Sequence, residues 1–407
     1  MLKIIELFAG VGAQRQALKE AKIEHEVVAI SEIDKYAISA YNKLHGDTKN
    51  LGDITQIEKL PEADMWTYSF PCTDISLAGR MGGFEKGSNT RSSLLWEVQR
   101  LLKVASAEGT LPKYLIMENV KNIVSKKFMP LFQVWLDFLE ELGYKNYWKV
   151  MNGRDYGVPQ NRERCFMVSI LNSDEPFIFP NKIELRTKLG DLLEDKVDEK
   201  YYLSNKLITC FASMKNRNGL VRGLRFRPRG KDDEYAWTIT TCPGSRATDT
   251  YIVEPVPAAL RGRLDDEGNY KQQLEIKKDG CTNAITTVQK DNIIILPEAT
   301  KKGYTIARVG DGCYTNLCQY KRGVVQRNMI PTLKASCSDI GVVVEDPKEL
   351  ISLRRLTPRE CWRLMGWNDE DIDKVLDGSI SNTQLYKMAG NSIVVSNLTA
   401  IFSLLFI

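Results

Sequence analysis

The sequence predicts an α/β protein built on a doubly wound, mostly parallel sheet, with a second, smaller, β-rich domain. Over the first 170 residues, short apolar runs alternate with segments whose apolar residues recur at helical spacing. This alternation is typical of a parallel sheet covered by helices on both faces. From about Lys188 the apolar runs shorten, and Gly, Thr, Arg and Asp crowd the connections. After Leu353 the pattern turns helical again and ends in the apolar run Ile393–Ile407.

The chain length and the predicted strands and helices support a division of the chain into domains. A chain of 407 residues is long enough for two or three domains and can bury a core without disulfide or metal staples. We expect a ligand-binding domain over residues 1–187, a second domain over 188–374, and a C-terminal segment, 375–407, that returns to the first domain. The predicted strands are Lys3–Phe8, Glu26–Ile30, Met65–Phe70, Tyr114–Met117 and Arg164–Ile170, and the predicted helices are Ala13–Ala21, Ser92–Ala107 and Phe128–Leu142.

Composition and charge exclude several classes of protein. Apolar residues make up 43% and charged residues 27% of the chain, which excludes wholly disordered and collagen-like proteins. There are 56 basic and 52 acidic residues, and the net charge of +4 is too small by itself to indicate a nucleic-acid partner. No apolar run approaches the roughly 18 residues of a membrane span, and Met1–Gly12 does not resemble a secretory signal. We therefore expect a cytoplasmic protein with no membrane partner.

The nine cysteines indicate neither a disulfide framework nor a metal site. Their number is odd, none stands in a Cys-x-x-Cys spacing, and only His25 and His45 could add imidazole ligands. We expect reduced thiols and no bound metal.

The middle region contains an internal repeat. Three Thr-containing pentapeptides recur 46 and then 45 residues apart, and an apolar run that predicts a strand follows each of them. We interpret them as three related strand–loop units, with chance recurrence of Thr-rich strands as the alternative. The pentapeptides are Trp237–Thr241, Asn283–Thr287 and Asn328–Thr332, and the strands are Tyr251–Val253, Asn292–Leu296 and Gly341–Val344.

A basic segment lies at the start of this region. Residues 205–231 contain eight Lys or Arg and no Asp or Glu. Four of the arginines are separated by Gly and Pro, a pattern that favours a loop contacting phosphates or bases over the alternative of a solvated face. These four are Arg222, Arg225, Arg227 and Arg229.

A glycine-containing turn follows the first predicted strand. In the run from Phe8 through Ala9, Gly10 and Val11 to Gly12, the glycines allow a ligand to approach the backbone where a helix begins, although a purely structural turn is equally compatible with them alone. Two carboxylates follow at the ends of later strands. Glu32 stands 20 residues after Gly12, where a carboxylate commonly binds ribose hydroxyls, and Asp53 closes the next turn in the same way. The three features together predict a nucleoside-bearing ligand.

A cysteine and a carboxylate follow two other strands. Pro71 cannot continue a strand ladder, so Cys72 should stand at the strand's carboxyl end, facing the same crevice. Glu118 ends the next long strand. The pair can serve as nucleophile and general acid, whereas an average cysteine is structural.

A flexible loop and two arginines complete the predicted site. The stretch Thr73–Arg91 contains four glycines and no apolar periodicity, which is typical of a lid. Arg162 and Arg164 stand two residues apart where a predicted strand begins. Their side chains would therefore point to the same face of the sheet, next to the site. Structural salt bridges are the alternative for these arginines.

These motifs, in this order, resemble the DNA (cytosine-5) methyltransferase family of bacterial and phage restriction–modification systems. The resemblance covers roughly 170 N-terminal residues and the last 55, and the middle region falls where that family carries its variable target-recognition region. Two positions depart from the family pattern: Thr73 replaces the usual Gln, and Ile33 replaces a frequent aromatic. The motifs are Phe8-Ala-Gly-Val-Gly12, Ser69-Phe-Pro-Cys72, Met117-Glu-Asn-Val120, Gln160-Asn-Arg-Glu-Arg164 and Ala389-Gly-Asn-Ser392.

The resemblance implies a Rossmann-like fold that binds S-adenosylmethionine, releases S-adenosylhomocysteine and holds no metal. Phe8 would stack near the adenine, Glu32 would hold the ribose, and Asn391 would close the pocket from the other end of the chain. The cofactor-binding residues implied by similarity are Phe8, Ala9, Gly10, Val11, Gly12, Glu32, Ile33, Asp53, Ile54, Pro71, Leu94, Asn391 and Ser392.

The resemblance also implies a catalytic set acting on a cytosine rotated out of the duplex. The Cys72 thiolate would attack C6, and C5 would then take the methyl group. Glu118 would bind N3 and the exocyclic amine and donate a proton, and Arg164 would hold the ring oxygen. Arg162 would contact a phosphate or Glu118 itself. Neighbouring arginines that lower the pKa of Cys72 would help, because the thiolate is the reactive form.

Double-stranded DNA would be the partner, with a CpG-containing target suggested by Thr73–Ser76. We expect a monomer that acts separately from any cognate restriction endonuclease. Two other functions stay open. An RNA cytosine-5 methyltransferase is disfavoured by the middle region of about 170 residues, and a catalytically silent DNA-binding accessory protein is disfavoured by the intact catalytic set. The predicted DNA contacts are Ser76, Arg91, Gln160, Arg222, Arg225, Arg227 and Arg229.

Overall fold

A computed structural model describes most of the first 202 residues and the C-terminal part of the chain. Within residues 253–353 only the backbone of the strands is described. The predicted DNA contacts Ser76, Arg222, Arg225 and Arg227 lie outside the described residues, as do the pentapeptides beginning at Asn283 and Asn328. The described ranges are 1–72, 74–75, 83, 85, 90–202, 229, 233–244, 249–255, 258–264, 270–276, 294–297, 304–307, 312–314, 340–342 and 351–406.

A six-stranded mixed sheet forms the centre of the first part of the chain, in the order β2-β1-β3-β4-β7-β5. The first four strands are parallel, and β7 is antiparallel to both β4 and β5. The α/β class and the five predicted strands are confirmed. The strands are β1 (Leu2–Leu7), β2 (His25–Ser31), β3 (Met65–Tyr68), β4 (Tyr114–Val120), β5 (Tyr144–Asn152), β6 (Gln160–Asn161, outside this sheet) and β7 (Glu163–Leu171).

Strand β5 was not predicted, because its residues alternate poorly. As an edge strand it has one neighbour only and is partly solvated on both faces, so Trp148 is 39% exposed. The central strands, in contrast, are buried on both faces, and Ile4 and Ile5 are both fully buried. Continuous apolar runs are the expected signature of such strands.

Helices cover both faces of the sheet. The three predicted helices are confirmed within a few residues, and α2, which was not predicted, begins after Asp34, whose side chain accepts a hydrogen bond from the backbone N–H of Tyr36. The helices are α1 (Ala13–Glu20), α2 (Lys35–His45), α3 (Leu95–Glu108), α4 (Met129–Glu141), α5 (Pro358–Arg363), α6 (Asp369–Val375), α7 (Asn382–Asn391) and α8 (Val395–Phe406).

The chain divides into two compact units, with boundaries that differ from the expected ones. The first unit contains residues 1–192, 234–242 and 358–407, and the second contains 193–233 and 243–357. The chain returns at residue 358 rather than 375 because α5 is part of the first core: Trp362 is 1% exposed and its indole Nε1 donates to the carbonyl of Leu385. Residues 234–242 return because β8 (Ala236–Trp237) pairs in parallel with β6.

The strands described in the second unit form antiparallel pairs, in a part of the chain where the sequence predicts a β-rich domain. Three of its strands, β9, β12 and β15, overlap the three apolar runs that follow the pentapeptides. The pairs are β9 (Tyr251–Pro255) with β16 (Ile351–Arg355), β10 (Ala258–Leu264) with β11 (Tyr270–Ile276), β12 (Ile294–Pro297) with β13 (Tyr304–Ala307), and β14 (Gly312–Tyr314) with β15 (Ile340–Val342).

One described segment, Asn382–Phe406, has the length and apolar composition of a membrane span, although half of it is buried in the fold. It is divided into α7 and α8, and α8 lies against α1, where the Thr399 hydroxyl donates to Glu20 at 3.2 Å. Its apolar residues therefore serve the core of the first unit.

Candidate active site

The predicted site residues lie at one edge of the central sheet. Cys72 follows the carboxyl end of β3, and Glu118 lies near the carboxyl end of β4. Because β7 runs antiparallel to β4, its first residues reach the same edge, and Arg164 pairs with Val120. The fold thus brings Cys72, Glu118 and Arg164 together from three separate strands.

Glu118 and Arg164 form a nearly buried ion pair. The Nε of Arg164 lies 3.2 Å from Oε1 of Glu118, and their side chains are 17% and 10% exposed. Burial raises the pKa of Glu118, while the charges of Arg164 and Arg162 and a hydrogen bond from Ser69 act in the opposite direction. The net rise favours the protonated carboxyl, which is the form that a general acid requires.

The loop that carries Cys72 is fixed by side chains that the motifs did not identify. Asn119 donates from Nδ2 to the carbonyl of Phe70 at 3.0 Å, and the Ser92 hydroxyl donates to the carbonyl of Pro71 at 2.7 Å. Ser92 is fully buried, and its oxygen also accepts the backbone N–H of Asp74 at 3.2 Å. Asn119 belongs to the Glu-Asn-Val motif, whereas nothing in the sequence singles out Ser92.

Cys72 is a half-buried free thiol. Burial raises its pKa, and the nearby charge of Arg164 offsets this only in part. Both Arg164 and Arg162 lower the pKa of Cys72 as expected, but desolvation of the thiolate is the larger effect, so the net shift is upward.

Arg162 donates its hydrogen bonds to backbone carbonyls, which is at odds with the first of its two predicted partners, a phosphate, and leaves the second, Glu118, open. Its side chain is 2% exposed, and Nη1 donates to the carbonyl of Ile239 at 2.9 Å. Nη2 donates to the carbonyls of Gly390 and Ser392, both at 2.8 Å. A guanidinium buried among three carbonyls does not reach a phosphate. Its charge nevertheless acts on Glu118 and Cys72, which supports a structural and electrostatic role.

Gln160 is likewise not a DNA contact in this structure. It is fully buried, its Oε1 accepts the backbone N–H of Ile239 at 3.1 Å, and its Nε2 donates to the carbonyl of Leu364. Both ends of the amide are therefore used inside the first unit, and none of it is available to a base or phosphate.

The turn after β1 has the backbone conformation that its glycines predict. Gly10 and Gly12 have φ of 56° and 76°, and Phe8 shares this left-handed region at 56°. A Cβ on Gly12 would lie 2.5 Å from Nε2 of His45, whereas a Cβ on Gly10 would meet nothing within 4 Å. Gly12 is therefore required by packing, and Gly10 borders open space where a ligand can approach the backbone.

Glu32 organises this crevice. Its Oε2 accepts the backbone N–H of Gly10 at 2.9 Å, and its Oε1 accepts those of Ile33 and Asp34, both at 2.8 Å. A carboxylate has about four lone-pair sites, so acceptor capacity remains for a ligand hydroxyl. Ile33 is 71% exposed beside it, so its apolar side chain is accessible to a ligand.

The remaining predicted residues fall into buried and accessible groups. Ala9, Val11, Ile54 and Ser392 are buried, so their contribution to a ligand would come from the backbone or from packing. Phe8, Pro71 and Leu94 are half-buried, and Arg91, Asp53 and Asn391 are exposed. Arg229, in the second unit, lies 3.7 Å from Asp233. Among the described residues, no group of three or more His, Cys, Asp or Glu could hold a metal ion.

The C-terminal helices border the same crevice. Lys387 of α7 donates to Asp34 at 2.6 Å, two residues after Glu32. Asn391 ends this helix one turn later. The structure thus places the end of the chain beside the turn that follows β2.

Comparison with known proteins identifies the family. The profile of the C-5 cytosine-specific DNA methylases matches residues 2–406. The chain belongs to this family. As a C-5 cytosine-specific DNA methylase it is a DNA cytosine-5-methyltransferase, and DNA is its substrate.

Individual members align with this methylase over nearly the whole chain. The type II methyltransferase M2.ScrFI of Lactococcus lactis subsp. cremoris is 32% identical, with 100% of this chain and 99% of that protein covered. The orphan methyltransferase M.SPRI of Bacillus phage SPR is 30% identical, with 98% and 96% covered. Among solved structures, the Entamoeba histolytica methyltransferase EhMeth has a TM-score of 0.63 at 16% identity, with 100% and 98% covered, and shares the fold.

Proposed function

We propose that this methylase transfers a methyl group from S-adenosylmethionine to C5 of a cytosine rotated out of duplex DNA, through a covalent bond to Cys72. The observation that carries the proposal is the buried Glu118–Arg164 pair, whose charges act on the Cys72 thiol. A nucleophile, a carboxyl whose pKa is raised by burial and a fixed cation at one site are the groups that this reaction requires.

Cys72 first loses its thiol proton to water, and the resulting thiolate starts the reaction by attacking C6 of the ring. The C6–S bond forms as the C5–C6 double bond opens, and Glu118 donates a proton to N3 as negative charge develops there. Carbon C5 is now part of an enamine and would take the methyl group as its bond to the sulfonium sulfur of S-adenosylmethionine breaks, with S-adenosylhomocysteine as the leaving group. A base such as water then removes the C5 proton, the C6–S bond breaks, and N3 returns its proton to Glu118, so that the thiolate is restored.

Arg164 and Arg162 support these steps in different ways. Arg164 holds the Glu118 carboxyl by its Nε and faces the thiol with its positive charge, which stabilises the thiolate. A base that excludes water from the site strengthens this attraction, because the local dielectric constant falls. Arg162 contributes a second positive charge, from a guanidinium that donates hydrogen bonds to three backbone carbonyls.

The residues around the β1 turn fit the proposed cofactor. Gly10 has open space on its Cα, Glu32 has unused acceptor capacity, and Ile33 offers an exposed apolar surface for a flat ring. Phe8, Asp53 and Asn391 would complete the pocket. S-adenosylmethionine would supply the electrophilic methyl group.

The biological setting follows from the relatives. Those named above are a type II methyltransferase of a bacterium and an orphan methyltransferase of a phage. We propose that this chain likewise acts in the cytoplasm of a bacterium or phage-infected host, as a monomer that modifies DNA in a restriction–modification setting. A cognate endonuclease would act separately on the same sequence.

The test mixes the protein with S-adenosylmethionine carrying a labelled methyl group and either duplex DNA or RNA. Label should enter C5 of cytosine in DNA only, and a duplex with 5-fluorocytosine at the target should form a covalent complex, because the fluorine cannot be removed as a proton is. Cys72→Ser should abolish both the labelling of DNA and the covalent complex, while cofactor binding persists. The matched control is Cys242→Ser, at an exposed cysteine, which should behave as the wild-type chain does. Turnover by Cys72→Ser would refute the covalent route. Label in RNA but not in DNA would refute the assignment of DNA as the substrate.

A further inference from the structure

Arg162 joins two segments that lie far apart in the sequence. One is the stretch 236–240, which the middle region sends back to the first unit, and the other is the end of α7. Through Nη2 the guanidinium binds the carbonyls of Gly390 and Ser392, and through Nη1 that of Ile239. These two carbonyls, at the end of α7 and in the residue after it, flank Asn391, so Arg162 fixes the backbone before and after this residue.

The bonding of Arg162 is of a kind that lysine cannot reproduce. A guanidinium offers fixed, planar donors, and charge-assisted hydrogen bonds of this type are among the strongest in proteins. Burial lowers the pKa of Arg162 only to about 9, so the side chain keeps its charge at neutral pH. A lysine ammonium is compact and cannot span carbonyls on opposite sides of the pocket.

Two further contacts tighten this junction. Gln160 accepts the backbone N–H of Ile239, so the peptide groups on both sides of this residue are held by one short motif. Gly390 lies so close to Thr240 that an added Cβ would stand 2.5 Å from the Thr240 backbone. The end of α7 and the returning stretch are therefore in direct backbone contact.

The same helix end borders the proposed cofactor crevice. Lys387, one turn before Asn391, binds Asp34 at 2.6 Å, and the backbone N–H of Asp34 donates to Glu32. The side chain of Asn391 is exposed. Arg162 holds the backbone on either side of it, and Lys387, on the same helix, binds Asp34 beside the proposed ribose ligand Glu32.

We propose that Arg162 is a positioning residue for the cofactor pocket: it fixes the backbone around Asn391 against residue 239, so that cofactor affinity depends on the returning stretch from the middle region. This inference rests on the proposed binding of S-adenosylmethionine. By linkage, whatever orders residues 236–240 also strengthens cofactor binding, and bound cofactor in turn stabilises that stretch.

The test measures binding of S-adenosylhomocysteine by calorimetry to the wild-type chain, to Arg162→Lys, to Asn391→Ala and to the double variant. We expect each single change to weaken binding about tenfold or more, the usual loss for a charge-assisted hydrogen bond. The double variant should bind no more than about twofold more weakly than either single variant, because both changes remove one contact. The control is Arg359→Lys, whose parent side chain lies 3.5 Å from Asp369 in the same unit and whose described contacts include neither the returning stretch nor Asn391; its affinity should be unchanged.

Each result decides between two proposals. Unchanged affinity in Arg162→Lys, or additive losses in the double variant, would overturn the positioning role and leave the proposed function intact. Failure of the wild-type chain to bind S-adenosylhomocysteine would refute the proposed function, and the inference with it. If Arg162→Lys does not fold, Gly390→Ala replaces it, because the added methyl group forces the same two segments apart without touching Arg162. Wild-type affinity in Gly390→Ala would then overturn the inference.

Discussion

The Nε of Arg164 lies 3.2 Å from Oε1 of Glu118 because β7 runs antiparallel to β4. In this register Glu118 stands opposite Phe166, and Arg164 stands opposite Val120. Glu118 thus lies near the carboxyl end of β4, and Arg164 lies near the amino end of the neighbouring strand β7. In a fully parallel sheet the same arginine would begin its strand at the opposite edge, far from the catalytic crevice.

Replacing Glu118 tests the acid directly. Glu118→Gln keeps the shape and can contact the base edge, but it cannot donate a carboxylic proton, so we expect methyl transfer to slow by about 10²- to 10⁴-fold. Single-turnover rates on cognate duplex give the measurement, and thermal unfolding gives the control, since the fold should persist. A rate loss below about fivefold, outside the range of general acid catalysis, would mean that Glu118 is structural.

The reactivity of the Cys72 thiol should depend on pH in a defined direction. Burial raises its pKa above the ordinary 9.0, so the rate of alkylation by iodoacetamide should still be rising at pH values where an exposed cysteine has reached its plateau. The alkylation rate of Cys72 is the rate of the wild-type chain minus that of Cys72→Ser. This subtraction removes the contribution of the other cysteines, such as the exposed Cys242.

Arg164 provides the matched comparison for that measurement. Its charge lowers the pKa of Cys72, so Arg164→Gln should move the alkylation profile further to alkaline pH. Lys121→Gln, which removes an exposed partner of Glu163 at 2.9 Å, should leave the profile in place. A profile that moves to acid pH in Arg164→Gln would contradict the electrostatic role of the arginine.

Glu6 should make the stability of the first unit depend on pH. This carboxyl is fully buried under the β1 turn, where it accepts the hydroxyl of Tyr41, and burial raises its pKa from 4.5 to about 7. Because the folded state favours the protonated form, the stabilising contribution is complete below pH 4.5 and is lost as pH rises through about 7. The change amounts to at most about 3 kcal/mol.

Urea unfolding at several pH values measures this effect. Glu6→Gln carries no titrating group, so its free energy of unfolding should fall less than that of the wild-type chain between pH 4.5 and about 7. Glu58→Gln, at an exposed glutamate, should follow the wild-type curve. Parallel curves for Glu6→Gln and wild type would show that Glu6 does not titrate in this range.

The basic segment should contain two classes of DNA contact. Alanine at a phosphate-contacting arginine should weaken binding to all sequences and reduce the salt slope by about one. Alanine at a base-reading arginine should cost about 1–3 kcal/mol on the cognate site alone. We expect Arg225 or Arg227 to be the base reader, and Arg229→Ala to have the smallest effect, because Arg229 is only 15% exposed and lies near Asp233.

Affinities on cognate and scrambled duplexes at two salt concentrations separate these classes. If Arg222→Ala, Arg225→Ala and Arg227→Ala all leave affinity and slope unchanged, the segment is a solvated face. Recognition would then move to the Thr-rich loops near Thr240, Thr286 and Lys334.

From the sequence alone follow the α/β class, the edge of the sheet where the candidate site lies and the residues proposed to react. Strands buried on both faces must be apolar throughout, so β1, β3 and β4 are visible as runs, and their carboxyl ends locate Cys72 and Glu118. Edge strand β5 was missed because partial solvation removes that requirement. The positions of α5 and of residues 234–242 depend on long-range packing, which local periodicity does not encode.

The contacts that the polar side chains make became visible only in the folded structure. Arg162 and Gln160 stand in the same motif as Arg164, and a linear pattern cannot distinguish a guanidinium facing a substrate from one facing three carbonyls. The same holds for Cys72, whose pKa depends on how much water the surrounding segments exclude. Residue types specify which hydrogen bonds and charges are possible, whereas burial, which is set by contacts between distant segments such as residues 239 and 390, decides which of them are made.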